Sequence, residues 1–191
     1  MNKIAVLDNR VYKILSQPSP KAAIDLLGMR VATQFNSKYT EFMITETEAY
    51  STSRKDPMSM MNTFSNKMPE SLVKGPPYVS ILKTYGDNYG IYILAGKKGT
   101  TECILIRSGK ILLGKPTIEA RRKKKIKSDY VTGPGNVSQA LGIKSTHDMS
   151  NLFDGPIYLL PRIHVLNQAI AKQRKNSKTK NDKFWRYTLS R

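Results

Sequence analysis

Residues 40–50 read TEFMITETEAY, and residues 29–35 ahead of them read MRVATQF. Both stretches are rich in β-branched and aromatic residues, which favour extended strands. A short turn region separates them, so the pair is predicted to form a β-hairpin whose second strand leads to Glu48. The chain is therefore expected to contain an antiparallel sheet built around this hairpin.

Further strands are predicted downstream of the hairpin. Three stretches of strand composition are joined by the turn-like sequences YGDNYG and GKKGT, which is typical of a meander. Short helices flank these strands in the sequence. The mixture predicts an α+β domain built on antiparallel pairing rather than a doubly wound sheet. The later strands are expected over 78–84, 91–95, 101–107 and 155–161, and the helices over 19–28, over 116–127 and just before Gly142.

The length of 191 residues suits one hydrophobic core and predicts a single domain over 1–191. The first residues, to about 18, are expected to be poorly structured. Residues 51–77 contain four prolines and show no steady periodicity, so they are predicted to form a long loop with one helical turn. The basic stretch at about 172–183 is predicted to be a mobile loop.

The charge of the chain is strongly positive. Lysine and arginine total 32 against 14 acidic residues, which gives a formal net charge of +18. Such an excess favours a polyanionic partner, with nucleic acid ahead of an anionic membrane surface. The alternative is that the charge serves solubility or reflects a lysine-rich composition.

Cysteine content and hydropathy indicate the kind of cellular compartment in which the protein is expected. The single cysteine, Cys103, excludes an internal disulfide and a cysteine-rich zinc module. The chain has no signal-peptide-like start and no run of about 18 apolar residues. A protein of a reducing compartment, without a membrane partner, is expected.

Few residues suggest a catalytic mechanism. His147 and His164 are the only histidines, and neither has the spacing of a metal site. No phosphate-binding loop or dinucleotide fingerprint is present. Glu48 remains: strand alternation predicts that it lies on the same face as Phe42, Ile44 and Glu46.

A carboxylate at the end of an apolar face is partly desolvated. Desolvation raises its basicity and suits it to activate water. The alternative is an ordinary strand-end glutamate paired with a lysine, and without further information that is the more common case for such a residue.

Several motifs resemble one known family in the same order along the chain. ITETEAY at 44–50 resembles the signature segment of the alkyladenine (3-methyladenine) DNA glycosylases. The resemblance extends from about Pro20 to Tyr187. The other matching segments are LLGMRV at 26–31, YG at 85–86, CILIR at 103–107, GPGNVSQALGI at 133–143 and FWRY at 184–187.

The resemblance implies a fold and an activity. The fold is a single α+β domain around a curved, mainly antiparallel sheet, open and barrel-like, with flanking helices. The activity is hydrolysis of the N-glycosidic bond of alkylated purines in duplex DNA by base flipping, without metal or organic cofactor. Glu48 falls on the family's general base for the attacking water, and Arg107 falls on the arginine that helps to hold that water.

The resemblance also implies a base pocket, and here the chain departs from the family. Tyr50 matches an aromatic wall of the pocket, and Tyr85 matches the wedge that enters the minor groove. Met60 stands where the family has a histidine, Leu82 where it has a second stacking tyrosine, and Tyr92 where it has an asparagine. Water activation is thus expected to be intact, whereas base recognition is expected to differ.

The expected partner is double-stranded DNA that contains damaged purines, bound by a monomer in the cytoplasm at the nucleoid if the source is prokaryotic, or in the nucleus if it is eukaryotic. Arg121, Arg122 and Lys123 are predicted to contact backbone phosphates. One alternative is a DNA-binding protein of the same fold that has lost excision through its pocket changes. Another is a basic RNA-binding protein, which leaves the ordered motifs unexplained.

Overall fold

The structure, a computed structural model, describes residues 3–163, 168–177 and 182–190, with side chains from residue 9 onward. Within these residues nine strands form one curled antiparallel sheet, a half-barrel flanked by five helices. The predicted α+β domain with a curved antiparallel sheet is confirmed. The strands are β1 Arg30–Phe35, β2 Lys38–Tyr50, β3 Val79–Tyr85, β4 Asn88–Leu94, β5 Cys103–Leu113, β6 Tyr130–Thr132, β7 Ile157–Leu160, β8 Ala169–Lys172 and β9 Arg186–Leu189. The helices are α1 Lys3–Leu15, α2 Ser19–Asp25, α3 Met60–Thr63, α4 Lys115–Arg122 and α5 Pro134–Leu141, with 3-10 turns at Glu70–Val73 and Ser145–His147.

Strand β2 organises the sheet, whose order is β3-β4-β5-β2-β1-β7. On one side β2 pairs with β5 along nearly its whole length. On the other side β1 pairs with the first half of β2, and β9 pairs with the second half. The predicted hairpin and meander are both present, and β5 continues to Leu113, beyond the predicted end at residue 107.

The sheet separates two apolar clusters. The larger one lies on the side of α1, α2 and α5 and includes Ile104 and Ile106. The smaller one lies on the other side and includes Cys103 and Leu105, so successive residues of β5 alternate between the two. Residues of the 51–77 loop, including Leu72, cover the smaller cluster.

Two bulges close to Glu48 change the alternation between β2 and β5. Thr45 of β2 and Arg107 of β5 have no partner in the register at these two positions, and a third irregularity, between Glu41 and Phe42, leaves Leu112 of β5 without a partner. The pairs that flank Thr45 and Arg107 are Ile44 with Gly109, Glu46 with Ser108, and Thr47 with Ile106. A bulge inserts one residue into one strand and redirects the side chains that follow it.

The bulge at Thr45 overturns one prediction about Glu48. Ile44 lies in the main core. After the bulge, Thr47 is the next residue of β2 that faces this side of the sheet, and its hydroxyl donates to the Ala23 carbonyl of α2. Glu48 therefore faces away from the main core. The expected shared face with Phe42 and Ile44 is wrong because simple alternation ignores the inserted residue, whereas Glu46 does share the face of Glu48.

The N-terminal segment differs from expectation. A poorly structured segment to about residue 18 is predicted, but α1 spans Lys3–Leu15. Val11 and Leu15 are buried in the main core, and Ile14 packs against it. Their spacing puts three apolar side chains on one helix face, which accounts for the helix. No helix within the described residues is long and apolar enough to cross a membrane.

Two basic segments also differ from expectation. The helix predicted over 116–127 ends at Arg122, and Lys123 adopts a left-handed conformation with φ of 50°. The loop predicted to be mobile at about 172–183 contains the end of β8 and a buried Arg174. Buried ion pairs hold this arginine in place, although the charge pattern of the sequence predicts a solvent-exposed side chain. Residues 178–181 of the predicted loop lie outside the described residues.

Candidate active site

A cavity of ≈ 800 Å³ opens on the side of the sheet away from the main core. The ends of β2, β4 and β5, the hairpin of β3 and β4, and helix α3 surround it. Six residues singled out from the sequence line this one cavity: Tyr50, Met60, Leu82, Tyr85, Tyr92 and Arg107.

Glu48 lies beneath the cavity and is fully buried. Its Oε2 accepts hydrogen bonds from the Tyr50 hydroxyl at 2.8 Å and from Arg107 Nη1 at 3.0 Å. Its Oε1 accepts from the backbone N–H of Lys175 at 2.7 Å. Three hydrogen-bond donors hold the carboxylate in one orientation. Among the described groups its cationic partner is an arginine, not the lysine of the alternative interpretation.

A second glutamate orients Arg107 from the other side. Glu46 Oε1 lies 3.4 Å from Arg107 Nε, which is buried and makes no well-aligned hydrogen bond in the described structure. Glu46 also accepts from Ser108 Oγ at 2.9 Å and from Arg186 Nη1 at 3.2 Å. From the sequence, Glu46 is predicted only to share a face with Glu48. The spacing of Glu46 and Glu48 was the available signal, since residues two apart on a strand share a face.

The two bulges bring these groups together. Arg107 and Ser108 are adjacent in sequence, yet both reach the carboxylates of β2 because the bulge in β5 lies at Arg107. In a regular strand their side chains would lie on opposite faces. Bulges often re-aim a side chain in this way beside functional sites.

Two tyrosines form the aromatic part of the cavity. The rings of Tyr50 and Tyr92 have centroids 6.0 Å apart at 56°. Burial, reinforced by the nearby Glu48 carboxylate, raises the pKa of Tyr50 well above its usual value, and burial also raises the pKa of Tyr92. Both phenols therefore stay neutral at physiological pH. A side chain at Gly90 would lie 2.8 Å from the Tyr92 ring, so the glycine leaves room for that ring.

Tyr85 lies at the end of the β3–β4 hairpin. Its side chain is 66% exposed, so it projects from the turn instead of packing back on the sheet. A register shift between Lys83 and Tyr85 accompanies this position. Tyr85 is thus displayed beside the cavity mouth, where Lys83 and Lys175 also line the opening.

The predicted phosphate contacts lie elsewhere. Arg121 Nη1 donates to Thr40 Oγ1 and to the Ala140 carbonyl, both at 3.1 Å, and Arg122 Nη2 donates to Asn136 Oδ1 at 2.8 Å. These arginines tie α4 to β2 and α5, while Lys123 is exposed. None of the three lines the cavity.

Comparison with known proteins identifies the family. A family model described as methylpurine-DNA glycosylase matches residues 13–191. Relatives that bear the name "Putative 3-methyladenine DNA glycosylase" include one from Natranaerobius thermophilus, 28% identical over 93% of this chain and 93% of its own length. Another, from Francisella tularensis subsp. tularensis, is 30% identical over 81% of this chain and 79% of its own. The match covers nearly the whole chain, and the resemblance predicted from the motifs is confirmed: the chain belongs to the methylpurine-DNA glycosylase family.

Proposed function

We propose that this protein hydrolyses the N-glycosidic bond of alkylated purines of the 3-methyladenine kind in duplex DNA, with Glu48 as the general base for water. The observation that carries the proposal is the Glu48 carboxylate, buried beneath an open cavity and held by Arg107, Tyr50 and the Lys175 N–H. The cavity volume of ≈ 800 Å³ is in the range of about 300–1,000 Å³ typical of small-molecule sites.

The base has to leave the helix before it can enter such a cavity. Rotation of a nucleotide out of the stack costs a few kcal/mol, and least where pairing is already damaged. Tyr85, exposed at the hairpin end, is suited to fill the gap, because aromatic side chains inserted between base steps stabilise distorted duplexes.

The chemical step follows from the surroundings of Glu48. The carboxylate takes a proton as the water oxygen bonds to the anomeric carbon, and the electron pair of the broken C–N bond leaves with the base. Arg107 holds the carboxylate and, as the resemblance implies, the water as well. The products are a free base and an unbroken strand with an abasic sugar, so no lysine nucleophile is required.

The walls favour a positively charged base. Neutral tyrosine rings present a negative face, and a cation over such a face gains roughly 0.5–2 kcal/mol. Tyr50 and Tyr92 supply these rings. Met60 and Leu82 add apolar surface without a hydrogen bond, which offers a neutral base little to orient it.

The DNA-binding surface follows from charge. Lys83 and Lys175 line the cavity mouth and are assigned to phosphates near the lesion. Lys123 remains a proposed phosphate contact further from the cavity. Arg121 and Arg122 already donate hydrogen bonds to α5, so they are assigned a smaller part in phosphate binding. We propose action as a monomer on double-stranded DNA; since the named relatives are bacterial, nucleoid DNA is the proposed location.

The test is release of purine bases from methylated duplex DNA. Wild-type protein should release 3-methyladenine, and Glu48→Gln should reduce release to background because a neutral amide cannot accept the proton. Glu48→Gln should bind duplex as tightly as wild type or more tightly, since one negative charge is lost. Substantial release by this variant would contradict the assignment of Glu48.

A matched control separates catalysis from folding. Glu41 is also a buried glutamate of β2, but its partner Arg30 does not line the cavity, whereas the Glu48 partners Tyr50 and Arg107 do, so Glu41→Gln should retain the excision rate per folded molecule. The altered pocket residues Met60 and Leu82 favour a second candidate, a DNA-binding protein without excision. Tight duplex binding by wild type with no release of any methylated base would support that candidate.

A further inference from the structure

Arg174 is buried, and its guanidinium group uses every N–H it has. Nε donates to Asp182 Oδ2 at 3.1 Å, and Nη1 donates to Asp56 Oδ2 and to the Ala49 carbonyl, both at 3.0 Å. Nη2 donates to the other carboxylate oxygens of Asp56 and Asp182. The five donors of an arginine form a rigid planar fork, so five filled positions fix its partners in both distance and direction.

Asp56 and Arg174 both keep their charges in this cluster. Burial opposes ionisation of Asp56, but hydrogen bonds from Arg174 and from the Ser51 and Met58 N–H groups lower its pKa overall. Burial likewise opposes the charge on Arg174, and hydrogen bonds to Asp56 and Asp182 raise its pKa overall. A buried ion cluster often stabilises a fold no better than apolar residues of similar volume. We therefore expect the cluster to matter chiefly for the positions of the residues that it joins.

The cluster joins the parts that build the active site. Ala49 lies between Glu48 and Tyr50 on β2. Asp56 begins the turn that leads to α3: its carbonyl accepts from the Ser59 N–H, and Ser59 caps the helix that carries Met60. The Arg174 guanidinium thus links the end of β2, which carries Glu48 and Tyr50, to the turn before α3, which carries Met60 of the cavity wall.

Two further contacts reach the reacting groups. The residue after Arg174 donates its backbone N–H to Glu48 Oε1 at 2.7 Å. The Arg174 guanidinium carbon also lies 5.4 Å from the centroids of the Tyr50 and Trp185 rings, within cation–π range. Displacement of Arg174 would move the hydrogen-bond donor on the carboxylate and the aromatic wall together.

We propose that Arg174 is a positioning residue for base excision: through Lys175 N–H it fixes the Glu48 carboxylate, and through Asp56 it fixes the α3 wall at a set distance from that carboxylate. This inference rests on the proposed function. Arg174 acts through other residues and does not line the cavity. Misplacement of reacting groups by about 1 Å can cost about 10²-fold in rate, so a loss of that order is expected when the fork is removed.

The test compares Arg174→Lys with wild type in single-turnover excision of 3-methyladenine. Lysine keeps the charge but offers three donors from one nitrogen, and it cannot bridge two carboxylates and a carbonyl as the planar fork does. The expected result is a rate constant about 10- to 100-fold lower. Affinity for a duplex that contains a stable abasic analogue should stay within about threefold, because such a duplex places no base in the cavity and the lysines at the cavity mouth are unchanged.

A purely structural role gives a different pattern. With DNA in excess over protein, partial unfolding lowers the amplitude of the first turnover, which then counts active molecules, but leaves the rate constant of the folded fraction unchanged. Arg30→Lys is the matched control, since Arg30 is partly buried and is likewise paired with a carboxylate, that of Glu41, away from the cavity. It should keep the wild-type rate constant. Asp182→Asn disturbs the same fork with the arginine in place, and a slowed rate constant is expected there even if Arg174→Lys fails to fold.

The outcomes are distinct. A wild-type rate constant in both Arg174→Lys and Asp182→Asn, at any amplitude, overturns the positioning role while the proposed function stands. Absence of excision by the wild-type protein overturns the proposed function and the positioning role with it. A slowed rate constant with retained binding, together with an unaffected Arg30→Lys, supports both.

Discussion

Glu46 and Glu48 are two residues apart on one strand, yet their surroundings give them different chemistry. Glu48 is fully buried and is bound by one arginine and two uncharged donors. Glu46 is partly exposed and contacts two arginines, Arg107 and Arg186. Both side-chain donors to Glu48, Tyr50 and Arg107, line the cavity, whereas the Glu46 partners Ser108 and Arg186 do not. We therefore assign water activation to Glu48 and orientation of Arg107 to Glu46.

The pocket residues predict which lesions are excised. A cationic base such as 3-methyladenine already has a weakened glycosidic bond and benefits from the neutral rings of Tyr50 and Tyr92. Hypoxanthine is neutral, so its release depends on correct seating, for which Met60 and Leu82 provide no polar contact. Single-turnover release of 3-methyladenine should exceed that of hypoxanthine by more than tenfold, or more than about 1.4 kcal/mol in barrier.

Met60→His provides the check on this selectivity. The resemblance places a histidine at this position, and its ring would restore a polar contact in the wall formed by α3. Release of hypoxanthine should rise more than release of 3-methyladenine in this variant. Similar rates for the two bases in the wild-type protein would show that the pocket seats neutral purines after all.

At the scale of elements, the β3–β4 hairpin leads to a prediction about the duplex. Tyr85 is exposed at the hairpin end beside the cavity, where it can enter a stacked helix. Tyr85→Ala should slow excision from duplex DNA and reduce the preference for damaged over undamaged duplex. The loss should be much smaller on single-stranded substrate, which has no stack to hold open.

Tyr12→Ala is the control for the hairpin variant, because Tyr12 is an exposed tyrosine of α1 that does not line the cavity. It should behave as wild type on both substrates. Equal losses for Tyr85→Ala on single-stranded and duplex DNA would indicate that Tyr85 serves packing within the hairpin and not base extrusion.

The elements also show what the sequence could and could not predict. The strands β1 to β5 were predictable because their β-branched composition and turns are local signals. The bulges at Thr45 and Arg107 were not, since they depend on how two strands separated by more than 50 residues come into register. Alternation counted along one strand placed Glu48 on the core face for that reason.

Contacts between side chains that are far apart in the sequence could not be predicted either. Arg174 pairs with Asp56 across 118 residues, and the local sequence around it is a run of lysines and polar residues that is typical of a solvated loop. Arg121 illustrates the same point: the basic run predicts a phosphate surface, and the sequence does not show that its guanidinium donates to the Ala140 carbonyl at the end of α5. Local composition shows how many charges a segment carries and does not show where they point.

For the whole molecule, the net charge of +18 predicts binding that depends steeply on salt. Each phosphate neutralised releases condensed counterions, so the logarithm of the affinity falls with the logarithm of salt concentration with a slope of about −0.9 per contact. Affinity for undamaged duplex should therefore drop sharply between about 50 and 200 mM salt. Substitution of one contacting lysine should reduce the slope by about one.

The positions of the lysines determine which substitutions matter. Lys83 and Lys175 line the cavity mouth, and Lys123 is exposed after α4, so glutamine at any of the three should reduce the slope. Lys21 is the control: it is exposed on α2, which packs on the opposite side of the sheet, and Lys21→Gln should leave the slope unchanged. If Lys21→Gln lowers the slope as much as Lys175→Gln does, the charge acts diffusely over the whole surface, and the cavity side is not the DNA-binding face.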